Sequence, residues 1–159
     1  MKIAIGADHG GFVLKGGLIT YLKQLGHQVT DMGTHSKESS DYPLIGYEVA
    51  QAVADGAYDR GVLICKSGVG MAIIANKLHG VRAAACYDKE LAKTSREHND
   101  TNIIVLAANY SDIDQAREIM YVWLTTPHAG ERHARRVNQI KTIEEKLKGN
   151  NNNDQSQKK

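Results

Sequence analysis

Cys65 stands where an apolar run gives way to a glycine-rich turn, in the stretch from Gly61 to Gly70 that reads Gly-Val-Leu-Ile-Cys-Lys-Ser-Gly-Val-Gly. Val62, Leu63 and Ile64 read as a buried strand, and Met71 to Lys77 as a helix. The junction would therefore gather a thiol, the Ser67 hydroxyl and several free backbone N–H groups in one small volume. The first N–H groups of a helix lack partners and the dipole is positive there, which draws anions and favours the thiolate of a nearby cysteine. A base beside an anion cradle suits removal of a proton next to a carbonyl. A lone cysteine ending a strand is also a common core residue. The Ser67-Gly68-Val69-Gly70 turn weighs against that reading for Cys65. Cys86 ends the next strand without such a turn and is expected to be structural.

Three other polar groups carry candidate chemistry. Asp8-His9-Gly10-Gly11 follows the first apolar run and could be a sugar-binding loop, or a helix cap with a bystander histidine. His98-Asn99-Asp100-Thr101 offers an acid or base near neutral pH, or only a helix end and turn. Arg132, Arg135 and Arg136 fall at helical spacing on one face, which suits a phosphate clamp as well as a solvated surface. The glycines match neither Gly-x-x-x-x-Gly-Lys-Ser/Thr nor a Gly-x-Gly-x-x-Gly after the first strand, which disfavours triphosphates and dinucleotides. The seven histidines form no His-x-x-x-His pair and the two cysteines no Cys-x-x-Cys, so no metal is expected.

A net charge of +2, one Phe and one Trp give little purchase on nucleic acid. No apolar run approaches the roughly 20 residues of a membrane span. The opening residues Met1 to Gly6 enter a strand pattern directly, so no export signal is expected, and the cysteines should be free thiols in a reducing cytoplasm.

Holding these residues in place is a pattern of short apolar strands alternating with helix-length segments, the signature of a parallel α/β sheet. Strands are expected at Lys2–Ala7, from Gln28 to Met32, through Cys65, at Val81–Cys86 and at Asn102–Leu106. Helices are expected at Phe12–Leu25, with Gly16-Gly17 a weakness inside it, from Pro43 to Ala54, after Gly70, over Asp88–Glu97, at Asp112–Leu124 and at Glu131–Leu147. Residues 1–148 form one domain, and the Asn/Gln/Lys-rich stretch 149–159 reads as a disordered tail. Ligands of open parallel sheets bind beyond the carboxyl ends of the strands, where Asp8, His9 and the Cys65 loop fall. His98 and Asn99 precede the fifth strand and so belong to the opposite edge. They could join the site by a long loop or by facing the site of a second subunit, which points to a shared site in a dimer.

Taken together, the chain resembles the type B ribose-5-phosphate isomerases, within the wider family that includes galactose-6-phosphate isomerase subunits. The resemblance is carried by Asp8-His9-Gly10-Gly11-Phe12, Asp41-Tyr42-Pro43, Ile64 to Gly70, Ala75-Asn76-Lys77, His98 to Asn102, Gly130-Glu131-Arg132-His133 and Arg136. It implies a Rossmann-like α/β/α sandwich with a five-stranded parallel sheet, a homodimer or homotetramer with sites at the subunit interface, and no cofactor. By motif position it implies that Cys65 moves a proton between C1 and C2, and that His98 assists opening of the sugar ring. Asp8, His9, Asn99 and the loop of Lys66, Ser67, Gly68, Val69 and Gly70 would hold sugar and enediolate, with Arg132 and Arg136 on the phosphate. The family's loop most often reads Cys-Gly-Thr-Gly, so Lys66 adds a charge where a glycine is usual. The expected reaction is ribose 5-phosphate to ribulose 5-phosphate. Its rivals are the same chemistry on galactose 6-phosphate or allose 6-phosphate, a non-catalytic phosphosugar-binding module, and a thiol redox protein. Cys65, Ser67 and His98 together disfavour the module.

Overall fold

The computed structural model describes the backbone of residues 1–156 and side chains through residue 149. Five strands, β1 (Lys2–Ala7), β2 (Gln28–Asp31), β3 (Arg60–Cys65), β4 (Ala83–Ala85) and β5 (Ile103–Ala107), form one parallel sheet in the order β2-β1-β3-β5-β4. The helices are α1 (Phe12–Gln24), α2 (Tyr42–Ala54), α3 (Val69–Ala75), α4 (Lys89–Asn99), α5 (Ile113–Thr125) and α6 (Glu131–Ser156). This is the α/β sandwich that the alternation of strands and helices implies.

Apart from Lys2 and Arg60 at their starts, the central strands are apolar because helices cover both sheet faces. Ile3, Ile5, Val62, Ile64, Ile104 and Leu106 pack with Leu18, Leu22, Met120 and Trp123 of α1 and α5. Ala4, Leu63, Cys65, Ile103 and Val105 pack on the other side with Val49, Ala50, Met71 and Ala75 of α2 and α3. Gly17, a weak point for helix formation by propensity, is where α1 meets α5: a Cβ there would lie 2.6 Å from the Ile113 Cδ1. Close packing outweighs the propensity cost.

Several ends differ from the sequence pattern. β4 is only Ala83–Ala85, and α3 begins at Val69, two residues earlier than expected. Helix α6 runs to Ser156, beyond the Leu147 at which its apolar spacing ends. The tail expected to be disordered, 149–159, lies largely outside the residues whose side chains are described. Among the described residues no helix is long and apolar enough to cross a membrane.

The order of strands places a topological switch between β1 and β3, since β2 lies to one side and β5 to the other. The two loops leaving these strands touch. The Asp8 N–H donates to the Ile64 carbonyl at 3.2 Å, and a Cβ on Gly11 would meet the Ile64 carbonyl oxygen at 2.8 Å. Backbone cannot swing away as a side chain can. Gly11→Ala should therefore destabilise the protein by about 1–3 kcal/mol, whereas Gly16→Ala, in a helix with nothing within 4 Å of the new methyl, should stabilise it by about 0.5–1 kcal/mol. Urea unfolding at fixed protein concentration checks both signs.

Candidate active site

Beyond the ends of β1 and β3, the Cys65 loop is fixed by backbone bonds to the end of β5. The Ala108 N–H donates to the Cys65 carbonyl at 2.9 Å and the Asn109 N–H to the Lys66 carbonyl at 3.1 Å. The Tyr87 hydroxyl donates to the Ser67 carbonyl at 3.1 Å, and its ring meets Tyr110 edge-on. Gly68 then turns the chain at φ 79°, a left-handed conformation that costs other residues about 1–2 kcal/mol. The turn aims the Gly68 N–H at the Cys65 Sγ, 3.1 Å away. The Ser67 hydroxyl accepts the Val69 N–H at 3.3 Å. Among the described residues the Gly70 and Met71 N–H groups have no acceptor, as expected in the first turn of α3. The second cysteine is a different object. Cys86 is fully buried, and burial pushes its thiol up to about 11.

Asp8 and His9 sit opposite this loop. Asp8 is buried, and its Oδ1 accepts the N–H groups of Gly10 and Gly11 at 2.9 and 3.1 Å. Asp8 therefore shapes the loop, and Gly11, not Asp8, is the N-cap of α1. His9 is gripped by a residue the sequence reading passed over: the Ser40 N–H donates to its Nδ1 at 3.3 Å and the Ser40 hydroxyl accepts its backbone N–H at 3.1 Å. In the neutral ring this assigns the proton to Nε2, leaving that N–H free to donate. The loop bearing Ser40 is anchored in turn by buried Lys15, which pairs with Asp31 and donates to the Thr34 carbonyl at 2.6 Å. Tyr42 was also missed as a site residue. A Cβ on Gly70 would fall 2.7 Å from its ring, so the phenol packs closely against the glycine turn. Ser40 has no spacing signal, and Tyr42 stands in the sequence only as part of the Asp41-Tyr42-Pro43 motif; the fold brings both to these loops. The Lys66 stem crosses Gly10, where an added Cβ would meet its Cγ at 2.5 Å. No carboxylate among the described residues lies within ion-pair distance of its ammonium.

The remaining candidates lie elsewhere. In the parallel β3–β5 pair Gly61 faces Ile103 and Cys65 faces Ala107. Four residue steps separate the two levels by roughly 13 Å along the strands. His98 and Asn99 end α4 just ahead of β5, at the edge away from Cys65. The structure divides the His98 to Thr101 cluster. Asp100 takes φ 47° and closes α4. Its carboxylate binds Arg96 at 2.8 Å and Arg82 at 3.0 Å, while Thr101 is buried beneath the Trp123 Nε1–H at 2.9 Å. Burial opposes ionisation of Asp100, but the Arg96 hydrogen bond and the Arg96, Arg82 and His128 charges outweigh it and hold the carboxyl below its usual range. His98 and Asn99 are left exposed on this braced turn. Arg132 and Arg136 arrive at the same edge on the first turns of α6, around His133.

The molecule thus carries two clusters. Asp8, His9, Lys66, the Ser67–Gly70 turn and Cys65 belong to one, and His98, Asn99, Arg132 and Arg136 to the other. Among the described residues no group of three or more His, Cys, Asp or Glu is placed to hold a metal.

Comparison with known proteins places the whole fold among sugar-phosphate isomerases. The Ribose/Galactose Isomerase family model matches residues 3–140. The chain is 43% identical over 145 residues to ribose-5-phosphate isomerase B of Escherichia coli, covering 91% of this chain and 97% of that one. It is 39% identical over 141 residues to D-erythrulose-4-phosphate isomerase of Pectobacterium atrosepticum, covering 88% and 93%. Among solved structures, ribose-5-phosphate isomerase B of Clostridium thermocellum superposes with a TM-score of 0.90 at 48% identity, covering 92% of this chain and 99% of that one.

Burial, then the neighbouring charges of His98, Arg132, Arg136 and His128, hold the His133 pKa below the ordinary histidine value. Below pH about 6.5 the unfolded chain binds a proton there that the folded chain resists, so this site contributes a loss of stability as pH falls. Urea unfolding at pH 8 and pH 5.5 should show a smaller loss for His133→Phe than for the parent protein. Equal losses would exclude His133 as a source.

Proposed function

The chain belongs to the ribose/galactose isomerase family and is an aldose–ketose isomerase of the type B ribose-5-phosphate isomerase kind; we propose that it interconverts ribose 5-phosphate and ribulose 5-phosphate in an active site assembled from both clusters across a homodimer. The observation that carries the composite site is the strand-length separation of Cys65 from an exposed His98 in one chain. A two-fold axis bringing the leading edge of one sheet to the carboxyl edge of the other would complete two equivalent sites. Exposed apolar side chains on α2, α3 and α6, among them Leu44, Val69, Ile73, Ile143 and Leu147, supply surface for such contact. Two free, buried cysteines suit a cytoplasmic enzyme.

In the proposed chemistry the phosphate binds Arg132 and Arg136, fixing the sugar by a group remote from the reaction. His98 moves the proton that opens the furanose ring to the free aldehyde. The Cys65 thiolate removes the C2 proton; the C–H electron pair becomes the C1–C2 double bond and the carbonyl pair moves to O1. The N–H groups of the Ser67–Gly70 turn and the His9 Nε2–H receive the resulting enediolate, where preorganised donors act best. A proton passes from O2 to O1, and Cys65 returns its proton to C1, leaving the ketone at C2. No oxidant or cofactor enters the balance.

A four-carbon substrate is the second reading, because one relative is a D-erythrulose-4-phosphate isomerase. The Lys66 stem over Gly10 takes room that a glycine would leave, which favours four- and five-carbon sugars over galactose 6-phosphate or allose 6-phosphate. A coupled assay over four-, five- and six-carbon aldose phosphates should give the highest kcat/KM with ribose 5-phosphate; a six-carbon preference would overturn this choice.

Cys65→Ala and Cys65→Ser should each lower kcat by at least ~10²-fold with the fold retained by circular dichroism, and near-parental turnover in either would remove the cysteine as base. Arg136→Ala should raise KM for the sugar phosphate and leave the slow reaction of the unphosphorylated sugar unaltered. Equal effects on both would mean that Arg136 does not hold phosphate.

A further inference from the structure

His133 is nine-tenths buried, and neither the sequence motifs nor the proposed mechanism assigns it a task. Its ring stacks on that of His98 with centroids 4.2 Å apart and planes within 1° of parallel. The two rings come from different elements, His98 from the last turn of α4 and His133 from the first turn of α6. The Arg132 Nε–H donates to the His133 Nε2 at 3.2 Å. With that lone pair engaged, the neutral ring carries its proton on Nδ1, which is buried without a partner among the described residues. A phenylalanine would fill the same space without a stranded N–H. What the imidazole adds is the acceptor for Arg132, and what its flat face adds is a plane for His98. The charged and titratable groups around it are His98 on α4, Arg132 and Arg136 on α6, and His128 on the connection from α5. Among these, His98 is exposed, and among the described residues its ring stacks on His133 and makes no hydrogen bond.

We propose that His133 is a positioning residue that couples two tasks of one half-site: its face sets the ring plane of His98 for proton transfer to the furanose oxygen, and its Nε2 sets the Arg132 guanidinium for phosphate. This rests on the reading of His98 as the ring-opening group and of Arg132 as a phosphate ligand. The imidazole touches neither substrate group itself. Burial and the neighbouring cationic groups hold its pKa below the ordinary histidine value, which favours the uncharged ring.

The two tasks separate by substitution. His133→Phe keeps the face and loses the acceptor; His133→Gln keeps an amide oxygen and loses the face. Ribose 5-phosphate is mainly a furanose, whereas erythrose 4-phosphate cannot close that ring because O4 carries the phosphate. His133→Gln should therefore lower kcat/KM for ribose 5-phosphate by ~10-fold, while kcat/KM for erythrose 4-phosphate changes by less than about 2-fold. His133→Phe should restore most of the ribose 5-phosphate kcat but raise KM several-fold for both sugars. Equal losses on both sugars for both variants would mark His133 as merely structural and overturn the proposal, as would parental kinetics in both. His98→Asn is run beside them. If it shows the substrate split and His133→Gln does not, positioning by His133 is wrong; if His98→Asn shows no split, the ring-opening role of His98 falls and the proposal falls with it.

Discussion

In a parallel sheet, a residue that follows one strand and a residue that precedes its neighbour are held apart by the length of the strand between them. The β3–β5 register makes this a fixed spacing of roughly 13 Å between the level of Cys65 and the level at which the chain leaves His98 and enters β5. From Gly61 to Cys65 and from Ile103 to Ala107 both strands are buried, so neither side chains nor helix shifts can shorten it. One chain holds a thiol with backbone donors at one edge and a histidine with arginines at the other. The proposed function follows from that constraint, since a sugar phosphate that needs both must lie between two chains.

Each half is held rigid by a different device. At the carboxyl edge the work is done by backbone: the left-handed turn at Gly68, the close approach of Gly11 to the Ile64 carbonyl and the ties from Ala108 and Asn109 leave the Cys65 loop little freedom. At the leading edge it is done by partly buried charge. Asp100, gripped by Arg82 and Arg96, and Thr101, beneath Trp123, lock the turn from which His98 and Asn99 project. A partly buried ion-pair network of this kind is weak evidence for stability but a means of fixing one conformation, and a fixed conformation is what proton transfer requires.

Much of this was legible in the residues. The strand-to-glycine change at Cys65 located the turn, and Cys86, expected to be structural, is fully buried with its thiol pushed up to about 11. Placement of His98 ahead of β5 needed only the alternation of elements. What stayed hidden depends on contacts distant in sequence. Ser40 reaches His9 across 31 residues, and the Tyr42 ring reaches Gly70 through packing of α2 on α3. His133 reads as one member of a basic helical run until α4 and α6 are seen to stack it on His98. Gly17 misleads by propensity because its value lies in contact with Ile113. Lys66, a departure from the usual loop, lies over Gly10 with no carboxylate partner among the described residues, a position that bears on substrate length.

The central claim is that neither chain completes a site alone, and subunit complementation tests it most directly. Cys65→Ala and His98→Asn chains, each nearly inactive, are unfolded, mixed in equal amounts and refolded together. In a mixed dimer one site combines both substitutions and the other combines neither. With half of the dimers mixed and one of their two sites intact, about a quarter of the parental activity should return. Recovery no greater than the sum of the separate variants, with mixed dimers demonstrated by mass spectrometry, would place Cys65 and His98 in sites that do not cross the interface.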